Sequence, residues 1–505
     1  MTGMKIATTY SSAELGIEAP AVSVEAAAAP GLPHTQIVCL PETAVRESKD
    51  RVKAAIQASG FEYPSQRITV NLAPADLPKS SGRYDLGIAI AILAASRQID
   101  APQLHRYEFL GELSLTGSIR GISGVLPAVM RCESNNRTLI LPKENQDEAC
   151  LAKDHRMLVA PDLISVVRHL SSRVTLEKPE SGVDRMTFAI PSIDDVRGQA
   201  AAKRAMAIAA AGGHNLLMVG PPGAGKTMLA SRLPSLVPDM TLEDALAVAS
   251  IASVSRQTFD YRLFRRRPFR TPHHSASSVA MAGGGNPPRP GEISLAHLGV
   301  LFPDELPEYP RHVLEVLREP MESGEVWISR AGYQVRYPAR FQLIAAMNPC
   351  PCGYFTDNRR DCECTADQNQ KYRSRLSGPL LDRIDIHIEV PPLAPGKVAS
   401  PGVNPRQETA GALRNEISKA RENMVQRQGV VNAMLGNKEV GQHCRIPSRE
   451  RRYLDMCTEK LGLSTRGYFK IVKVARTIAD LSGETDVTCQ HLTEAVSYRK
   501  LDRKK

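Results

Sequence analysis

Gly220-Pro221-Pro222-Gly223-Ala224-Gly225-Lys226-Thr227 fits the pattern G-x-x-x-x-G-K-[ST], a phosphate-binding loop. Residues 215–219, Asn-Leu-Leu-Met-Val, precede it and read as a short buried strand. Residues 228–233 follow it and read as the start of a helix. That strand–loop–helix order is what the motif requires. Glycines let backbone N–H groups close around phosphate oxygens, and a helix N-terminus adds a dipole that favours anions. Lys226 is placed to reach the β- and γ-phosphates of ATP, and the Thr227 hydroxyl to hold Mg²⁺.

A second element belongs with the first. Gly299-Val300-Leu301-Phe302-Pro303-Asp304-Glu305 is an apolar run ending in two carboxylates, some eighty residues after the loop. Asp304 is expected to hold Mg²⁺ and Glu305 to polarise an attacking water, so the predicted reaction is hydrolysis. Pro303 removes a ladder donor, which is tolerated at the end of a strand. A further apolar strand over 341–346 ends at Met347-Asn348, where the Asn348 amide is placed to sense the γ-phosphate.

Length and composition bound the rest. A chain of 505 residues predicts two to four domains, and 42% hydrophobic with 23% charged residues is ordinary for a globular protein. There is no apolar stretch of membrane-spanning length and no signal-peptide pattern at the N-terminus, so the expected compartment is the cytoplasm with no membrane partner. The net charge is +10, and residues 406–505 hold 20 Lys/Arg against 12 Asp/Glu, a surplus of eight. A basic C-terminal domain suits a polyanion such as DNA, and a solvated basic face explains the charge equally well.

In chain order, residues 1–170 read as one α/β domain. Strands are predicted over 35–40 and 66–72, helices over 44–58 and 85–96, and two short strands around Thr116-Gly117. Lys79, Ser80 and Ser81 could form a Ser–Lys dyad, but a polar loop before a helix is the simpler reading. Residues 171–191 read as a linker, 192–395 as the P-loop domain, 396–407 as a Pro-rich linker and 408–505 as a helical domain. Within the P-loop domain, Arg262, Arg265, Arg266, Arg267 and Arg270 suit a phosphate backbone or a subunit interface. His273 and His274 lack partners at metal-ligand spacing. Residues 310–322 read as one helix. Residues 325–337 read as a hairpin carrying Arg330, Tyr333, Arg336 and Tyr337 for a nucleic-acid strand, with Trp327 packed inside.

Six cysteines, Cys39, Cys132, Cys150, Cys444, Cys457 and Cys489, are scattered and expected to be small buried residues. The other four are Cys350-x-Cys352 and Cys362-x-Cys364. Four thiolates can bind Zn²⁺ tetrahedrally; a reduced, metal-free loop is the alternative. Arg383, in a loop leading to a strand, lies where a finger could stabilise charge on a neighbouring subunit's nucleotide. Arg466 opens a helix of the C-terminal domain and is a candidate to touch nucleotide.

With these residues in view, the chain resembles the magnesium-chelatase-like AAA+ ATPases of the YifB/ComM group. The resemblance runs nearly full length through Gly31-Leu-Pro33, residues 71–76, residues 269–274, residues 290–297 and residues 380–385. It implies a Lon-protease-like (S5 domain 2-type) α/β domain at the N-terminus, a P-loop AAA+ α/β domain and a C-terminal helical lid. It implies a homo-hexamer with an insert near 270–291 and the hairpin 325–337 facing the pore. The same match makes Gly220 to Thr227 Walker A, Asp304 and Glu305 Walker B, Asn348 sensor 1, Arg383 the arginine finger and Arg466 sensor 2. The departures are Pro303, Cys39 and Ser80-Ser81-Gly82. The implied activity is ATP-driven DNA remodelling of the branch-migration or helicase type. The rivals are a metal-insertion motor and a protein-remodelling or protease-associated ATPase.

Overall fold

Buried carboxylates, a parallel sheet and an apolar lid decide where the loop sits. The computed structural model describes residues 5–38, 42–79, 82–152, 156–180, 191–255, 257, 259–330, 333–355, 360–392 and 410–499. Cys39, Ser80, Ser81, the linker 396–407 and residues 181–190 of the linker 171–191 lie outside them.

The N-terminal domain begins with two strands not predicted from the sequence, Lys5–Ser12 and Ala21–Ala29. The second alternates, burying Val22, Val24, Ala26 and Ala28. Its alanines are poor strand formers, and packing on the helix Asp85–Ala95 overrides that preference. A four-stranded sheet results, in the order Lys5–Ser12, Ala21–Ala29, Arg67–Ala73, His34–Val38, antiparallel except for the last pair. The helix Asp85–Ala95 is buried on nearly every face. At its start Asp85 accepts from Arg51 and Ser48 at 2.7 Å each, and burial still raises its carboxyl to about 6. The strands Glu112–Leu113 and Ile119–Arg120 pair around Thr116-Gly117 as expected.

The central domain is built on a five-stranded parallel sheet. Its order is Phe269–Arg270, Val300–Leu301, Gln342–Met347, Leu216–Val219, Ile386–Glu389. All four Leu216–Val219 side chains are buried, as a parallel sheet covered on both faces demands. One expected element is different. The helix read over 310–322 is two, Arg311–Glu315 and Pro320–Ser323. Pro320 has no N–H to continue the first helix, so it opens a new turn.

Among the described residues, apolar contacts at two places join the N-terminal domain to the centre. The helix Leu242–Ser255 packs Leu246 and Ala249 among Val125, Leu126 and Val129. The turn after the first strand places Leu15 and Ile17 against the hairpin Glu325–Arg330/Tyr333–Pro338. There Gly16 lies so close that a Cβ would sit 2.6 Å from Val335 Cγ1.

The C-terminal region is helical: Ala410–Gln428, Asn437–His443, Ser448–Leu461, Thr465–Leu481 and Cys489–Ser497. Its apolar side shares one core with the helix Ala200–Gly212 and the P-loop strand. Asp480 is its polar anchor. It accepts from Arg427 at 2.6 and 2.9 Å, Arg476 at 3.0 Å and Asn432 at 2.8 Å. Among the described residues no helix is long and apolar enough to cross a membrane.

Removing the Asp480 carboxylate leaves the Arg476 guanidinium buried without its counter-charge. Asp480→Ala is therefore expected to destabilise the C-terminal region by about 3–5 kcal/mol. Hydrogen exchange of the helix Thr465–Leu481 is the measurement; unchanged protection there contradicts the assignment of Asp480 as anchor.

Candidate nucleotide site

The P-loop strand lies beside Gln342–Met347, with Val219 level with Met347. The next residue of each strand therefore faces the other, and Gly220 N–H donates to the Met347 carbonyl at 3.2 Å. This register brings Asn348 to the loop. In the Val300–Leu301 strand, one position further out, Leu301 pairs with Leu343, and the chain runs on past the strand to deliver Asp304 and Glu305 to the same cleft. Pro303 falls just past that strand, so its missing N–H costs the ladder nothing.

Gly223 and Gly225 adopt φ of +74° and +90°, and a Cβ on either would meet open space. They are glycines for their backbone conformation, which turns the loop over the start of the helix Lys226–Leu236. The cleft so formed holds about 350 Å³ and is lined by the loop, Asp304, Glu305, Met347 and Asn348. The Lys226 ammonium is buried at its floor. It donates to the carbonyls of Gly220 at 2.7 Å and Pro221 at 3.1 Å, and to Asn348 Oδ1 at 3.1 Å. Burial lowers its affinity for a proton, while Asp304 and Glu305 act the other way. Thr227 Oγ1 donates to Asp304 at 2.6 Å. An ammonium, a hydroxyl paired with a carboxylate, and an open backbone cradle are the donor set that a triphosphate with Mg²⁺ needs.

Glu305 has φ +52°, the left-handed region that side chains other than glycine rarely enter. Its N–H donates to the Asp304 carboxylate at 2.9 Å. Its own carboxylate faces His274, Nδ1 to Oε2 at 3.7 Å. His274 is a site residue that reading the sequence missed, because paired histidines were considered only as metal ligands.

Arg383 and Arg466 do not line this cleft. Arg383 donates to the Pro379 carbonyl at 2.7 Å and pairs with Glu322 at 2.6 Å; Arg466 approaches the same Glu322 oxygen at 3.8 Å. Glu322 was also missed, since it falls in the turn that Pro320 starts. Asn215, the residue before the P-loop strand, fixes this segment by donating to the Arg383 carbonyl at 3.0 Å and to Asp385 at 2.9 Å. Burial would raise the Asp385 carboxyl, but Lys470 at 2.7 Å and His214 hold it well below the usual carboxylate range.

Other expected partners are spent within the chain. Arg262 pairs with Asp260, Arg266 with Asp239, and Arg270 with Glu292, each through a contact of 2.7 to 2.9 Å. Arg267 donates to the carbonyls of Pro238 and Leu298. Only the exposed Arg265 side chain of the five has no partner among the described residues. On the hairpin, Trp327 is 51% exposed rather than packed, and lies opposite Arg336. Tyr337 is the buried one, donating to the Pro288 carbonyl at 2.9 Å. The side chains of Arg330 and Tyr333 lie outside the described residues. Lys79 is buried with its ammonium on the Pro74 carbonyl.

The four clustered cysteines converge. Their Sγ atoms all lie within 4.8 Å of one another, so the set could hold a metal. The Tyr354 N–H lowers the Cys352 thiol to about 6, while burial pushes Cys350 up to about 12. Of the scattered cysteines, Cys132 and Cys444 are buried; Cys150, Cys457 and Cys489 are half-buried, a correction to the expectation.

With the geometry given, comparison with known proteins is direct. The family model for magnesium chelatase, subunit ChlI, matches residues 192–398, a second model for subunit ChlI of Mg-chelatase matches 24–145, and one for the magnesium chelatase subunit ChlI C-terminal part matches 407–499. Competence protein ComM of Haemophilus influenzae is 48% identical over 505 residues, covering 99% of this chain and 98% of that protein. The chain belongs to the ComM/YifB family. The YifB protein of Escherichia coli is 47% identical over 99% of this chain and 98% of its own length. Membership of this magnesium-chelatase-like family implies an AAA+-type ATPase that uses ATP and Mg²⁺.

Lys226→Ala is expected to abolish binding of a fluorescent ATP analogue. Glu305→Gln is expected to keep binding while hydrolysis falls by roughly 10²–10⁴-fold. Titration and steady-state turnover separate the two; equal loss of binding in both variants contradicts the roles given.

Proposed function

We propose that this ComM/YifB-family chain is an ATP-driven DNA motor that works as a homo-hexamer. Its task would be branch migration or helicase-type remodelling in natural transformation or recombination. The observation that carries the reading is the pairing of a cleft lined by Lys226, Thr227, Asp304, Glu305 and Asn348 with a hairpin whose exposed face holds Trp327 opposite Arg336. An aromatic ring with a guanidinium beside it suits an unstacked base and its backbone. Full-length likeness to a competence protein supports the setting.

In this reading the triphosphate lies along the loop, and Lys226 turns from its carbonyl partners to the phosphates. Thr227 and Asp304 would hold Mg²⁺, which when bound neutralises phosphate charge. Glu305 takes the proton of the attacking water, and the Asn348 amide orients that water against the γ-phosphate. Arg383 and Arg466, turned away from the chain's own cleft, act on the nucleotide of the next subunit. The N-terminal domain keeps the Lon-protease-like assignment without a proteolytic role, since Lys79 is buried on a carbonyl.

The test is ATP turnover with no DNA, single-stranded DNA, a branched junction and an unfolded protein, with Glu305→Gln as blank. Several-fold stimulation by DNA is expected, strongest with the junction and falling as salt rises. Trp327→Ala is expected to weaken single-strand binding by about 1–3 kcal/mol. Turnover indifferent to every DNA, in protein that still hydrolyses ATP, sinks the DNA reading and favours a tetrapyrrole or protein substrate.

A further inference from the structure

The cysteine cluster stands two residues beyond Asn348, in a loop that lies against the nucleotide cleft. We infer that Cys350, Cys352, Cys362 and Cys364 bind one Zn²⁺, and that this metal clips Asn348 and the phosphate loop into working position. The second half rests on the ATPase reading above; the first does not.

The sulfur geometry comes first. Cys350 Sγ lies 3.3 Å from Cys352 Sγ and 3.7 Å from Cys362 Sγ, and Cys352 Sγ lies 3.6 Å from Cys362 Sγ. The Cys352 N–H donates to Cys364 Sγ at 3.4 Å. Four thiolates around zinc at a bond length of about 2.3 Å stand about 3.8 Å apart at the corners of a tetrahedron. The cluster already has nearly that spacing. An iron–sulfur cluster interposes its own atoms between the thiolates and needs them further apart. Four sulfur ligands on a borderline-soft d¹⁰ ion are a closed, structural set with no open position for chemistry. Cys350 is buried and the other three are half-buried, so the site can be loaded from solvent. As each S–Zn bond forms, a thiol that still carries its proton releases it to solvent, and no electron moves.

The clip follows from what the cluster is tied to. Gly353, next to Cys352, has φ +88°, and a Cβ there would lie 2.7 Å from Pro222 Cδ. The cysteine loop therefore rests directly on the phosphate loop. At the other end, Cys364 precedes Thr365, which caps the helix Ala366–Ser374 in a capping box with Gln368. Burial raises the Tyr372 phenol of that helix to about 12, and the Asn348 backbone beside it acts the other way. The four sulfurs thus join three pieces that must agree in position: Pro222 of the cradle, Asn348, and the helix that supports Asn348. A metal on the four sulfurs would cross-link Cys350 and Cys352 beside Asn348 to Cys362 and Cys364 before the helix Ala366–Ser374.

The experiment uses the full chain, purified without metal-affinity steps under reducing conditions. Metal content by mass spectrometry, and zinc released by a mercurial into a chromogenic dye, are expected to give one Zn²⁺ per chain. Cys362→Ser/Cys364→Ser is expected to hold none. Stripping zinc from the native chain is expected to weaken binding of a fluorescent ATP analogue on the order of tenfold, with binding restored by added Zn²⁺. Circular dichroism guards against simple unfolding, and the strip-and-restore arm does not depend on how the variant folds. A reduced chain that neither contains nor takes up zinc overturns the site. Iron with visible absorption, or disulfides in the freshly isolated chain, overturns it too. Zinc that can be removed without changing nucleotide affinity overturns the clip. A zinc-loaded chain that fails to bind ATP leaves the metal site standing and refutes the ATPase reading instead.

Discussion

Lys226 is 9% exposed, and the close partners of its ammonium are dipoles rather than ions. A buried cation held only by two backbone carbonyls and an amide oxygen is incompletely compensated. The nearby Asp304 and Glu305 offset its burial without touching it. Such a site is poised for a polyanion, and the parallel sheet makes it possible. Only because Val219 stands level with Met347 do the loop carbonyls and Asn348 reach the same nitrogen. A slip of one residue would turn Asn348 to the other face.

What could be read in the chain beforehand follows from how local each feature is. The phosphate loop, the hairpin around Thr116-Gly117 and the long C-terminal helices depend on glycine conformation and helical period, and the structure has them. The spacing of the four cysteines left a zinc set and a metal-free loop both open; in space their Sγ atoms converge. The strand Ala21–Ala29 was missed because alanine gives little preference, and its burial is decided by a helix sixty residues on. The facing of Trp327 and Tyr337 was inverted because their neighbours decide it: Tyr337 finds the Pro288 carbonyl, and Trp327 finds no cover. The arginine run looked like a phosphate grip in sequence. In space, acids at 239, 260 and 292 and two carbonyls occupy most of it.

Glu322 gathers two arginines from distant parts of the chain. One carboxylate cannot neutralise both guanidinium groups, but Glu315 and Glu319 line the same surface with Arg318, so the rim is mixed in charge. Asp385 sets the geometry behind it: Asn215 ties it to the P-loop strand, and Lys470 ties it to the helix that carries Arg466. The rim and the cleft floor therefore share a rigid support, although they point to different surfaces.

Gly16 gives this architecture a mechanical property. Val335 fills the space where its side chain would be, and Leu15 and Ile17 pack into the core that the hairpin shares. The base of the hairpin is thus keyed into the N-terminal sheet. A pull on the hairpin tip has no slack to take up before it loads that domain, which bears on the central domain a second time where the helix Val125–Ser134 meets Leu246 and Ala249. The N-terminal domain acts as a brace, stiffening a two-stranded ribbon that alone would bend under force.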